Sequence, residues 1–210
     1  MTSILKADEI QDSSGNLIIK EVANAITIGA SGDTITIPSG ATITNSGTAT
    51  GFGGITMVDQ WRLSASYNGS DGTITANWER SDYQNQGSFG SISMSESSGV
   101  FSFPSTGFYR VDFIAGISFG NVADNQANMF TEVTLNDSAY SNYALAFAGS
   151  NSSSNNSRFT VASSVVLDIT DVSNQKVRFV AASFASSAVV LEGNTEQNIT
   201  VATFTRLGDT

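Results

Sequence analysis

The sequence predicts an all-β protein: a sandwich-type head preceded by an extended, β-rich arm. Short runs of alternating apolar residues fill positions 55–210, and no window sustains apolar spacing at 3.6 residues. Clusters of Gly, Ser, Asn and Asp separate those runs at the intervals of a β-sandwich. Composition also changes near residue 54. Most of the 13 Phe and both Trp lie beyond it, whereas Val22 to Gly54 offers only Val22, five isoleucines and Phe52 as large apolar residues. The division is therefore an arm, residues 1–54, and a head, residues 55–210.

In the arm, Ile4-Leu5 and Leu17-Ile18-Ile19 flank Asp12-Ser-Ser-Gly-Asn16, which is turn chemistry and predicts a hairpin or strand-turn-strand. A short helix over Ile4 to Ile10 is the alternative. A quasi-repeat follows, AITIGASGDT, ITIPSGAT, ITNSGTATG, each unit an Ile-Thr run closed by small residues. Units this short belong to solenoids and fibrous folds, where one copy cannot bury its own face. The apolar content is too small for a globular core in one chain. Three chains about one axis would instead bring Ile26, Ile28, Ile35, Ile37 and Ile43 into a continuous seam, so a trimeric shaft is expected in preference to a flexible linker. NSGTATGFGG, 45–54, reads as a hinge.

The head is organised around GVFSFPSTGFYRVDF, 99–113. Phe101 and Phe103 alternate before a Pro-Ser-Thr-Gly turn, and Tyr109, Val111 and Phe113 alternate after it. This reads as two neighbouring strands with one aromatic face turned inward. Gly107 suits a backbone angle closed to other residues. Other strands are expected around Trp61 and Leu63, over ITANWERS, from Met129 to Leu135, and through Tyr143, Leu145 and Phe147. The clearest alternation runs Phe159, Val161, Ser163, Val165, Leu167, Ile169. Val177-Phe179, 187–191 and Ile199 to Leu207 complete the set.

Phe101, Gly107, Tyr109, Val111 and Phe113 together resemble the heart of the complement C1q and tumour-necrosis-factor-like jelly-roll pattern. That family usually has Phe where Val111 stands and an aromatic where Met94 stands. ATFTRLG resembles the family's last strand, with Phe204 and Leu207 in place. The resemblance covers most of 57–208 and implies a jelly-roll sandwich of about ten strands that trimerises through one face, above a stalk. The arm, through ILKADEIQDSSGN and ITIGASGDTITIPSGATI, resembles the N-terminal pieces of bacteriophage tail-fibre and other virion proteins.

Chemistry is sparse. The chain has no His and no Cys, which removes the commonest nucleophile-base pairs, most transition-metal sites and all disulfides. Carboxylate pairs remain, Asp168 with Asp171, Glu192 with Glu196 and Glu79 with Asp82, each beside a hydrophilic turn where a solvated charge is the ordinary role. Asn68-Gly-Ser-Asp-Gly72 has the ligand types of a calcium loop without its spacing or its bidentate Glu. No catalytic residue, metal or cofactor is expected. The formal net charge of -10 argues against nucleic acid, and no apolar run is long enough to span a bilayer. MTSILKADEIQ carries acids where a secretory leader needs apolar residues, so release by lysis or within a larger particle is expected.

These readings converge on a non-enzymatic homotrimeric virion protein on the exterior of a phage particle. Its arm would engage other virion proteins, and its head would contact the host surface, with glycan as the expected target. Asn151, Asn155 and Asn156, in the polar loop GSNSSSNNS, are the candidate receptor-binding residues. A capsid decoration protein or head fibre, and a cell-surface adhesin with the same head, are the alternatives.

Overall fold

The computed structural model describes residues 8–23, 25–44, 55–68 and 71–210. The Ile4-Leu5 pair, most of the alternative helix and the 45–54 hinge lie outside them, as does the middle of the Asn68–Gly72 loop. The chain forms two compact units, Met1–Thr50 and Gly51–Thr210.

The first unit is a three-stranded antiparallel sheet of β1 (Glu9–Gln11), β2 (Leu17–Val22) and β3 (Ala25–Ile28). Asp12 forms the turn that sequence chemistry predicts. Its carboxylate accepts the Ser14 and Asn16 amides at 2.8 and 2.9 Å, and its own amide donates to the Asn16 carbonyl. Only the first Ile-Thr unit becomes a strand. Ile35, Ile37 and Ile43 lie in a segment of turns, where the Asp33 and Ala41 amides donate to the Ala30 and Pro38 carbonyls. Pro38 removes a ladder donor directly after Ile37.

The second unit holds thirteen strands: β4 (Met57–Leu63), β5 (Tyr67–Asn68), β6 (Gly72–Thr73), β7 (Trp78–Arg80), β8 (Ser95–Ser97), β9 (Val100–Ser102), β10 (Gly107–Phe119), β11 (Asp124–Thr134), β12 (Tyr140–Ser150), β13 (Ser157–Ile169), β14 (Lys176–Ala182), β15 (Val189–Leu191) and β16 (Val201–Gly208). Ten of them make two five-stranded antiparallel sheets, ordered β7-β4-β16-β10-β13 and β8-β9-β14-β11-β12. β15 and β5 extend the first sheet and β6 the second. This is a jelly-roll β-sandwich.

The two strands of residues 99–113 are not paired with each other, which corrects the sequence reading. β9 bonds to β8 and β14, whereas β10 bonds to β13, β15 and β16 in the opposite sheet. Pro104–Thr106 is a corner between layers, and both aromatic faces still point inward because they face each other across the core. Tyr109 secures the corner by donating its hydroxyl to the Ser105 carbonyl at 2.9 Å. Gly107 opens β10 at φ +140, and a Cβ there would strike the Gly208 carbonyl.

Phe101, Tyr109, Val111, Phe113 and Phe204 all lie in the core at 1% exposure or less, with Met94 beside them. Phe113 stacks on Phe179 of the other sheet at 4.4 Å between ring centroids, and Phe101 meets Phe204 across the layers at 5.1 Å. Asp59, fully buried beneath this cluster, binds Arg80 (2.9 Å), the Trp61 indole (3.2 Å) and the Met94 amide (2.9 Å).

Two substitutions test this packing in urea unfolding. Phe101→Ala is expected to cost about 3–5 kcal/mol through the cavity it leaves. Asp59→Ala is expected to cost about 3 kcal/mol or more, because it leaves Arg80, the Trp61 indole and the buried Met94 amide without their acceptor.

Candidate functional site

Four of the six candidate carboxylates, Glu79, Asp82, Asp171 and Glu192, have structural partners. Glu79 and Asp82 converge on Arg62, a buried arginine at 1% exposure that also bonds Gln86. This cluster ties residues 79–86 to the outer face of β4. Glu192 pairs with Arg158 at 2.9 Å. Asp171 closes the β13–β14 turn, accepting the Ser173 and Asn174 amides and the Asn174 side-chain amide at 2.7 Å. Among the described residues no group of three or more acidic side chains gathers as a metal site would require.

The head's seven basic residues are all in ion pairs: Arg62, Arg80, Arg110, Arg158, Lys176, Arg178 and Arg206. Arg178 also lies over the Tyr140 ring at 3.8 Å, where burial raises the tyrosine pKa. The acids outnumber the bases, so the surface left over is neutral or anionic.

Exposed apolar surface lies in two places, the first along one side of the sandwich. The two sheets end there in long strands, β12 with 11 residues and β13 with 13, whereas β7 and β8 end them on the other side with 3 each. Strand edges are normally protected by charge, proline or shortness. β12 contains no charged residue and no proline, and β13 is uncharged from Phe159 to Leu167. The two are joined side by side through Ser150–Ser157 and, across the layers, β13 reaches β11 through Thr131–Ser163 hydroxyl contacts at 3.0 and 3.3 Å.

The Tyr143, Leu145, Phe147 alternation is real, but its apolar face points outward. Ala146 and Ala148 fill the core instead, while Leu145 and Phe147 are 48% and 68% exposed. Apolar periodicity alone cannot tell an interior face from one kept for a partner. Beside them, Phe159 is half-exposed where the layers part, with its ring edge-on to Phe119 at 5.7 Å.

A second apolar surface occupies the outer face of the β7-β4-β16-β10-β13 sheet. Phe108, Ile114, Val166 and Leu207 are exposed there, with Phe89 bridged to Val58 at its margin. Between them lies a shallow depression of about 450 Å³, lined by small residues Ala162, Ser164 and Thr203 together with Ile114 and the Arg110–Asp112 pair.

The isoleucines singled out in the arm are all exposed. Asn151, Asn155 and Asn156 are exposed in the β12–β13 loop, which Ser152 organises by accepting the Asn155 amide. That loop shares one end of the sandwich with Gly120–Ala123 and 183–188, held by the Gly120 amide on the Ala188 carbonyl and the Ala185 amide on Asp124.

No protein-family model and no curated protein sequence matches the chain. Solved structures do. The chain is similar to the Eiger TNF of S. frugiperda, with a TM-score of 0.56 at 10% identity over 73% of this chain and 93% of that one. Murine APRIL aligns over 72% of this chain and 98% of its own at 11% identity, with a TM-score of 0.46. The likeness to the Eiger TNF shows a TNF-like jelly-roll fold.

The turn carboxylates give a pH test. Hydrogen bonds from Asn174 and the Ser173 amide hold Asp171 below its ordinary value of 3.8, as Asn16 and the Ser14 amide do for Asp12. A depressed folded pKa stabilises above the unfolded value, and that contribution is lost as pH falls through the folded one. NMR titration is expected to place both carboxyls below 3.8, and Asn174→Ala is expected to move Asp171 upward.

Proposed function

We propose that the chain is a non-enzymatic, homotrimeric structural protein on the exterior of a bacteriophage particle, of tail-fibre or spike type. Its jelly-roll head makes multivalent contact with the host surface, and its arm engages other virion proteins. The observation that carries the assembly is the pair of long edge strands, β12 without charge and β13 uncharged from Phe159 to Leu167, set against a separate apolar sheet face. Two unlike surfaces on one chain favour a head-to-tail contact, and such contacts close into rings when the rotation allows. The TNF-like fold and the C1q-like motif at 101–113 support three as the number of copies.

The virion role is supported by the arm's resemblance to phage fibre proteins. Host contact is assigned to the polar loops at one end of the head, Asn151, Asn155 and Asn156 among them. Three weak sites on one rigid axis bind far more strongly than one. With no free cation in the head to hold phosphate or sulfate, neutral glycan is the expected target.

Light scattering on the purified chain is expected to give three times its monomer mass, and Phe147→Asp or Val166→Asp is expected to yield folded monomers. A monomeric wild type would overturn the assembly. Labelled trimer is expected to bind host cells and to compete with infection, the Phe147→Asp monomer losing most of that avidity. Immunolabelling that places the protein across capsid faces, with no cell binding, would replace the fibre role with capsid decoration.

A further inference from the structure

The first unit is a sheet without a core. Among its described residues none is buried, and all but Leu17 and Gly29 are exposed. Three short strands with no layer over them are marginal in water. Their apolar residues are nevertheless aligned. Ile10 stands opposite Ile19, and Ile19 opposite Ile28, so one isoleucine from every strand lies in a single row across the sheet. Ile26 extends the row along β3 on the same face, since alternate residues share a side. Glu9 and Lys20, which pair at 3.8 Å, and Thr27 form the next row, on the opposite face.

Among the described residues of the unit the ladder stays exposed. Ile10, Ile19, Ile26 and Ile28 are 39%, 37%, 70% and 56% exposed, and the segment that follows β3 leaves Ile35, Ile37 and Ile43 exposed as well. We infer that the Ile10–Ile19–Ile28 ladder is a seam on which arms of the same assembly pack against one another. This rests on the trimeric reading of the head. Three arms covalently joined to one trimer share a small volume, and tethering raises their effective concentration to about the millimolar range. At that concentration an apolar row too weak to associate between free chains is buried by the copies already present. Ile10 and Ile19 thereby join the seam, and Ile35, Ile37 and Ile43 are not needed to form it.

The absence of native cysteine gives a clean test in the full-length protein. Ile19→Cys and Lys20→Cys put a thiol on the two opposite faces of β2, and mild copper-catalysed oxidation then reports contact between copies. Ile19→Cys is expected to form disulfide-linked dimers several-fold faster than Lys20→Cys, in a fraction that does not change on dilution. Light scattering on the same samples keeps the two readings apart. Trimer mass with equal crosslinking at both positions overturns the seam and leaves the head assembly standing. Monomer mass overturns both. Crosslinking that fades on dilution assigns the contact to separate assemblies and overturns the seam.

Discussion

The head depends on one packing event, the meeting of Phe101 with its neighbours between the sheets. Its ring contacts Trp61, Trp78, Phe179 and Phe204, all at 5.1–5.7 Å between centroids. Those residues come from β4, β7, β14 and β16, so one side chain joins both layers and strands from both ends of the unit. The contacts with Trp61, Trp78 and Phe179 are edge-to-face and the one with Phe204 is tilted; aromatic pairs of this kind add about 0.5–1.5 kcal/mol each beyond burial. They also fix the separation of the layers, and Asp59 then locks β4 to β7 and to the Met94 amide. The side of the sandwich bearing Phe101 and Asp59 is thereby closed by its own chain.

The other side is built differently, and the contrast has a physical basis. On β12 the core positions are the alanines Ala146 and Ala148, and the hydroxyls of Thr131 and Ser163 meet between the layers. Small residues let the layers approach at this edge while the large side chains of β12 turn outward. Apolar surface placed outward on edge strands with so little charge is costly in a lone monomer, both for solubility and through off-register strand pairing. Its presence beside well-managed short edges at β7 and β8 shows that the two sides answer to different constraints.

How much of this was legible beforehand follows from which signals are local. Strand positions, the aromatic core at Phe101, Tyr109 and Phe113, and the role of Gly107 were readable, because each follows from alternation or backbone geometry. Which strands pair was not. β9 and β10 look like a hairpin in sequence because their turn is short, but a short corner between layers has the same residues. The direction of the Tyr143–Phe147 face was hidden for a related reason, since alternation gives a face and not its side. The arm's ladder was missed because Ile10, Ile19 and Ile28 become neighbours only through pairing, at a spacing of nine residues that the Ile-Thr repeat obscured.

Charge narrows what such a surface can hold. Each cation of the head is committed to a carboxylate, several in partly buried geometry where salt screens them little. Opening one of these pairs to bind an external anion would leave the original carboxylate unpaired, so such a site is worth less than its charge suggests. What the head offers outward is amide, hydroxyl, apolar surface and surplus carboxylate. Recognition on that surface has to come from shape and neutral hydrogen bonds, each weak against water. Binding strength on such a surface would have to come from the number of copies engaged together, and this ties the proposed attachment role of the head to the proposed trimer.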